Sequence, residues 1–454
     1  MDLKGMHTAV IGMGRTGIAT TGFLVKRGAD VTCFDQKPLR DLHGIDRIPE
    51  GTRIVDGWDG VTMGDYGLVV VSPGVPMSLG GIGAASGRGA EVISEIELAS
   101  RFTRKRIVAI TGTNGKTTTV TLLGQVLDNA GIRAGVGGNI GIPFVQLVQD
   151  DDRYELYLLE LSSYQLEGIV HFSPWIAGLL NITDDHLDRY AGIGEYARAK
   201  FRIFMNQSAD DYAVINADDR NIVKGKRSIT SKPYCFTTGR RTRRGAYYRD
   251  GLIVYIDGCG GRTTFSVDNP SLGGMHNVQN VMTCVIMAKL LNVPDEVIQT
   301  TIRGYKGLPH RIEFVADIDG VGYYDDSKAT NVDAVAVALK SFSAPVILIM
   351  GGRDKGGDYG PLSRLIKEKV KRVLVMGEAK ERIAGAFRGV ADVVPVDSME
   401  SAVSSAHGAA VKGDIVLLSP ACSSFDMFSD YGQRGDVFRS AVMKLKRGAA
   451  NEGI

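Results

Sequence analysis

Twice in this chain a short apolar run leads into a glycine-rich loop and then into a helix-forming run, a pattern that belongs to parallel α/β sheets. The first instance is residues 8–11, then Gly12-Met13-Gly14-Arg15-Thr16-Gly17; the second is RIVAIT (106–111), then Gly112-Thr113-Asn114-Gly115-Lys116-Thr117. Such loops bring several backbone N–H groups to the start of a helix, where the helix dipole also favours an anion. Glycine supports this reading: 57 of 454 residues, about 13%, against an average near 7%. No collagen-like period or low-complexity tract accounts for that excess, so it serves turns and close backbone approaches.

The first loop matches G-x-G-x-x-G, and Asp35 ends the next strand (31–35), where a ribose-binding acid of a dinucleotide site stands. The same backbone would hold a nucleotide-sugar diphosphate, or serve only as a tight turn, so the loop alone leaves all three readings open. The second loop ends in the GK[ST] of a phosphate loop, although the expected Gly at position 110 is Ile. There Lys116 can reach the β- and γ-phosphate oxygens and Thr117 can ligate Mg²⁺, which predicts ATP. One chain with two such loops is a poor fit to a simple NAD-dependent oxidoreductase or to a non-catalytic nucleotide switch.

Strand and helix patterns alternate around these loops. Strands are expected at 31–35, 68–71, 154–161, 175–182 and 212–217, and again at 321–326, 345–352, 372–377, 392–396 and 414–419. Aromatic and β-branched alternation over 234–267, with a hairpin signal at Arg249-Asp250-Gly251, predicts a small antiparallel sheet in the central region. With the length, this gives three α/β domains: a Rossmann-like unit over 1–95, a phosphate-loop mononucleotide-binding unit over 96–307 and a second Rossmann-like unit over 308–454.

The charge balance, 53 basic against 51 acidic residues, gives no electrostatic reason to expect a nucleic acid as partner. No apolar run approaches the roughly 20 residues of a membrane span, and the start of the chain lacks a signal-peptide core. Five scattered cysteines form no CxxC pair, which points to reduced, buried thiols; a cytoplasmic monomer is the expectation.

Metal ligands are expected where neighbouring strands end. Glu160 closes one strand, and NITDDHLDR (181–189) delivers Asp184, Asp185, His186 and Asp188 after another, although acids here can also cap helices. His7, His43 and His276 sit in no pattern that gives them a role.

GTNGKTTT, GNIG (138–141), ELSSYQLE (160–167), NITDDHLDR, GGMHNVQN (273–280), GLPHR (307–311), DDSKATN (325–331) and LSPACSSFDMFSDYGQRG (418–435) together resemble the Mur ligase family of ATP-dependent amide ligases, in order and over essentially the whole chain. GGRDKGGDY (351–359) matches the pattern of the members that add D-glutamate to UDP-N-acetylmuramoyl-L-alanine, and the DNPR signature of those that add a diamino acid is absent. Other ligases of this type, including the folylpolyglutamate branch, are the alternative. The resemblance implies that an acyl phosphate forms on the substrate carboxylate and that the D-glutamate amine attacks it through a tetrahedral intermediate. It also implies a set of roles. Arg15, Thr16, Gln36, Lys37, Gly74, Asn139 and Ser162 face the UDP-substrate, with Gln36 and Lys37 matching poorly. Gly112 to Thr118 (Gly112, Thr113, Asn114, Gly115, Lys116, Thr117, Thr118), Asn280, Arg311 and Asp326 hold ATP. Lys328, Thr330, Lys355, Ser424, Phe425 and Tyr431 surround D-glutamate, Tyr431 standing where Phe is frequent. Two Mg²⁺ ions are implied, one on Thr117 and Glu160, the other on His186 and a carbamate carried by Lys200; Lys116, Glu160, His186 and Lys200 form the catalytic set.

Overall fold

The computed structural model describes residues 1–42, 44–184, 189–354, 356 and 358–452. They divide into two compact bodies, the larger made of Met1–Ile182, Arg189–Asp268 and Asn277–Gly304, the smaller chiefly of the described residues in Tyr305–Ile454.

The larger body contains two sheets. The first runs in the order β3-β2-β1-β4-β5, with β1 at His7–Ile11, β2 at Asp30–Phe34, β3 at Arg53–Val55, β4 at Leu68–Val71 and β5 at Glu91–Ser94, all parallel. The sequence LVVV of β4 is wholly buried, as a strand covered on both faces must be. The strand order turns around between β1 and β4, and a ligand crevice opens beyond the carboxyl ends of strands at such a point.

The second sheet has nine strands: β6 (Arg106–Thr111), β7 (Ala134–Gly138), β8 (Leu156–Glu160), β9 (Ile176–Leu179), β10 (Tyr212–Asn216), β11 (Lys232–Thr237), β12 (Gly245–Arg249), β13 (Leu252–Ile256) and β14 (Arg262–Ser266), in the order β14-β13-β12-β11-β10-β9-β6-β8-β7. The antiparallel strands expected over 234–267 are present as β12–β14, and β11 pairs in parallel with both β10 and β12, so they extend the main sheet. Asp250 and Gly251 take φ of 52° and 82°, the left-handed pair of a type I′ turn, which locks Arg249 opposite Leu252.

The smaller body has one sheet of six strands: β15 (Glu313–Ile318), β16 (Val321–Asp325), β17 (Val346–Gly351), β18 (Val370–Met376), β19 (Asp392–Pro395) and β20 (Ile415–Leu418), in the order β15-β16-β20-β17-β18-β19, only β15 being antiparallel. Among the described residues, no helix is long and apolar enough to cross a membrane. The thiols depart from expectation at one end: Cys33, Cys284 and Cys422 are buried, but Cys259 is exposed, in the turn between β13 and β14.

Candidate active site

The first glycine loop, between β1 and the helix Arg15–Lys26, forms one wall of a cavity of about 520 Å³. That helix has no side-chain cap and no acid in its first turn, which leaves its N-terminus to an anion. Gly17 is required here: a Cβ on it would lie 1.8 Å from the Gly12 carbonyl oxygen. Arg15, Thr16, Gln36, Lys37, Gly74 and Asn139 all line this cavity, with Asn139 and Gln165 contributed from the second sheet's domain. Ser162 is not in its lining; its hydroxyl caps the helix Ser163–Glu167 in a reciprocal box with Gln165. The Asp35 carboxylate accepts the N–H groups of Met13 (2.7 Å) and Lys37 (2.9 Å), so it braces the glycine loop.

The second loop lies between β6 and the helix Lys116–Asn129, which also starts without a side-chain cap. Gly115 has φ 86°, and a Cβ there would stand 2.2 Å from the Asn280 side-chain oxygen, so Asn280 packs directly on the loop. Lys116 Nζ donates to the carbonyls of Gly112 and Thr113, both at 2.7 Å, curling over the loop that it serves. Thr117 and Thr118 are buried. Glu160 closes β8, the neighbour of β6, with Ile110 opposite it. Its side chain is buried; Oε1 accepts the Asn139 amide at 2.8 Å, while Oε2 has no hydrogen-bond partner among the described residues. A buried carboxylate oxygen with an open lone pair, beside a threonine-bearing phosphate loop, is the donor chemistry that a hard divalent cation takes. Lys200 is only 1% exposed, and its Nζ donates to the Gly112 carbonyl at 2.9 Å. It is thus not an ordinary solvated helix lysine.

In the smaller body, Asp326 follows β16 and is buried. It accepts from the Ser419 hydroxyl (2.8 Å) and from the Ile312 N–H (3.3 Å), and burial pushes its carboxyl up to about 7 although the Arg311 charge opposes this. Arg311 Nε is buried without a hydrogen-bond partner among the described residues. Lys328 Nζ lies 5.2 Å from the centre of the Tyr431 ring, and the Thr330 N–H donates to the Lys328 carbonyl. Ser424 is buried, Phe425 is 61% exposed and Tyr431 39%. His43, Asp185, His186, Asp188 and Lys355 lie outside the described residues.

Three further residues shape these sites without standing out in the sequence. Asn181 grips the second loop, its Oδ1 accepting the Asn114 N–H at 2.8 Å and its Nδ2 donating to the Asn114 carbonyl at 2.9 Å. Arg189 donates to the carbonyls of Pro73 (3.3 Å) and Val75 (3.1 Å) and to Glu167 (2.6 Å), which ties the Ser72–Val75 wall of the cavity to the second domain. Arg434, 1% exposed, donates to Ser327, Cys422, Ser423 and Gly351; burial lowers its guanidinium to about 10. Both Asn181 and Arg189 stand inside NITDDHLDR, whose acids draw attention first.

Three family models cover most of the chain: Mur ligase MurD-like N-terminal domain over 6–94, Mur ligase middle domain over 110–288, and Mur ligase glutamate ligase domain over 310–422. The chain is 43% identical, over 99% of its own length and 99% of the relative's, to UDP-N-acetylmuramoylalanine–D-glutamate ligase of Geotalea daltonii. It is 42% identical to the ligase of the same name from Desulfosudis oleivorans, over 99% and 98%. Among solved structures, a pseudomurein peptide ligase type C from Methanothermus fervidus matches with a TM-score of 0.61 at 17% identity, over 97% of this chain and 100% of that one. MurF ligase from Thermotoga maritima in complex with ADP matches with 0.59 at 16%, over 97% and 96%. These two likenesses speak to the three-domain fold. The family models and the 43% identity over 99% of the chain show that it belongs to the Mur ligase family.

Proposed function

We propose that this protein joins D-glutamate to UDP-N-acetylmuramoyl-L-alanine in an ATP-dependent amide ligation that releases ADP and phosphate. Asn139 carries the reading. It lines the cavity of the first glycine loop and also holds Glu160 beside the phosphate loop, so the far end of a UDP-substrate meets the γ-phosphate end of ATP. A carboxylate is a poor acylating agent, and phosphorylating it brings two anions together. The chain supplies Lys116 and the uncapped N-terminus of the helix Lys116–Asn129 to hold the phosphates. Thr117 and Glu160 would hold one Mg²⁺ and His186 with Lys200 a second; bound there, Mg²⁺ neutralises charge on the triphosphate as the acyl phosphate forms. The amine of D-glutamate then attacks the acyl carbon, and phosphate leaves from the tetrahedral intermediate.

The first domain, over 1–95, is assigned the UDP-substrate through Arg15, Thr16, Gln36, Lys37 and Gly74, with Asn139 and Ser162 of the second adjoining. The second, over 96–307, takes ATP on Gly112–Thr118 and Asn280. The third, over 308–454, provides Arg311 and Asp326 for ATP and Lys328, Thr330, Lys355, Ser424, Phe425 and Tyr431 for D-glutamate. Lys200 is buried, with its Nζ 2.9 Å from the Gly112 carbonyl beside the phosphate loop, and CO₂ captured there as a carbamate would turn the side chain into an anionic oxygen ligand. Carbon-13 bicarbonate should give a carbamate resonance that Lys200→Ala abolishes; its persistence in that variant would assign it elsewhere.

The decisive assay measures phosphate release from ATP with UDP-N-acetylmuramoyl-L-alanine and a panel of amino acids. Release dependent on D-glutamate is expected. Dependence on L-alanine or a diamino acid would move the assignment within the family, and none with any acceptor would refute ligation.

A further inference from the structure

We propose that Asn181 is a positioning residue that sets the shape of the phosphate loop, backed by a polar brace from Asn216, Asp219 and Asn221. The proposal rests on the reading of that loop as the ATP site, and it names what holds the loop in register.

Asn181 follows β9, the strand beside β6. Its main-chain carbonyl accepts the Thr113 N–H at 3.0 Å, and its side chain closes a two-way pair with the backbone of Asn114. The orientation of that amide is forced, because the Asn114 N–H can only donate and its carbonyl can only accept. Asn181 therefore plays the part of a missing strand neighbour for the loop's apex. Only a side chain with donor and acceptor on one short stem can do this. Asp offers no donor and sets a negative charge against a carbonyl; Gln is one methylene too long.

The segment that carries Asn181 is itself pinned from the opposite side. Asn216 Nδ2 donates to the Leu180 carbonyl (2.9 Å), Asp219 Oδ2 accepts the Ile182 N–H (2.7 Å), and Asn221 Nδ2 donates to the Ile182 carbonyl (3.0 Å). Asp219 also caps the helix Arg220–Gly225 through its other oxygen, so the brace is anchored on a helix start. On the loop side, the Leu180 N–H donates to the Thr111 carbonyl, and a Cβ on Gly112 would stand 3.0 Å from the Leu180 Cβ. Polar contacts thus run from β10 and its following helix, through 180–182, to Thr111, Thr113 and Asn114. The N–H groups of Thr113 and Asn114 face Asn181, so the main-chain donors aimed at a triphosphate start at Gly115, with the first turn of the helix Lys116–Asn129.

The test compares the full-length protein with Asn181→Ala and the isosteric Asn181→Asp. It reads the KM for ATP, the KM for the UDP-substrate, the melting temperature, and the calorimetric affinity for Mg²⁺ with the non-hydrolysable analogue AMP-PNP. Asn181→Ala is expected to weaken AMP-PNP and raise the KM for ATP about tenfold or more. Asn181→Asp is expected to be weaker still, with the KM for the UDP-substrate and the melting temperature close to wild type. Unchanged nucleotide affinity in both variants would overturn the proposal, as would a parallel rise of both KM values with a falling melting temperature. Wild-type protein that binds no AMP-PNP would refute the nucleotide reading of the loop itself; wild-type binding matched by Asn181→Asp would refute only the clamp.

Discussion

Asn139 is bonded at 2.8 Å to Glu160 Oε1, while Oε2 is buried without a hydrogen-bond partner among the described residues. Removing the carboxylate leaves the loop's glycines in place, so Glu160→Ala is expected to retain nucleotide binding and lose turnover by about 10³-fold or more, as loss of a charge-neutralising group does. Loss of both together, seen by calorimetry beside phosphate release, would make Glu160 part of the fold only. Asp326 makes stability depend on pH. Its carboxyl, ordinarily near 3.8, is raised to about 7 by burial, so the folded state binds that proton more tightly than the unfolded chain does. The sign is that of a group whose stabilising effect is lost as pH rises: stability should fall between about pH 4 and pH 7, by an amount on the order of a few kcal/mol, and level off above. Urea unfolding of wild type and Asp326→Asn across that window checks this, the variant showing the shallower decline; equal slopes would contradict it.

At the scale of elements, the first glycine loop works because its helix approaches the Gly12 carbonyl without a side chain between them. Gly17→Ala is expected to cost about 3 kcal/mol or more in unfolding experiments and to weaken the UDP-substrate, while Gly22→Ala, inside the same helix with open space around it, should stabilise the fold by up to about 1 kcal/mol and leave substrate affinity unchanged. Most strands could be read from the sequence because buried parallel strands such as β4 and β17 are unbroken apolar runs. β7 could not. Its sequence AGVGG has the composition of a loop, yet a Cβ on Gly135 would sit 2.7 Å from the Tyr157 ring and one on Gly138 2.4 Å from the Glu160 carbonyl. Those glycines buy close packing against β8, a tertiary demand that local propensity cannot express. β3, three residues long, and β15, an antiparallel edge strand with half-exposed residues, carry too little apolar pattern. Lys116 and Glu160 could be singled out from the sequence as candidates because phosphate and cation chemistry need distinctive residues. Asn181 and Arg189 did not stand out, because they are common residues that act through backbone contacts.

At the scale of the whole molecule, the sites proposed for the UDP-substrate and for D-glutamate have separate supporting residues, Arg189 and Arg434, and the kinetic constants should separate accordingly. Arg189 joins the cavity wall at Pro73 and Val75 to Glu167, and both side chains are mostly buried at 13% and 18% exposure. Arg189→Ala should destabilise the larger body by about 3 kcal/mol, by stranding Glu167, and raise the KM for the UDP-substrate. Arg434 holds the backbone at Ser327, Cys422 and Ser423, next in sequence to Lys328 and Ser424. Arg434→Lys keeps the charge and loses the fork, so the KM for D-glutamate should rise while that for the UDP-substrate holds. A three-substrate kinetic comparison of the two variants checks the separation; a uniform change in all three constants would count against it.

The bond between Asn139 and Glu160 also bears on inhibition. A compound seated in the cavity of the first glycine loop, proposed above for the UDP-substrate, whose anchoring group captures the Asn139 amide would deprive Glu160 of that donor. Such a compound would compete with one substrate for space and, without touching the nucleotide, degrade the pocket of another. Its signature would be mixed inhibition toward ATP, and resistance by narrowing the cavity would leave that second effect intact for any molecule that still reached Asn139.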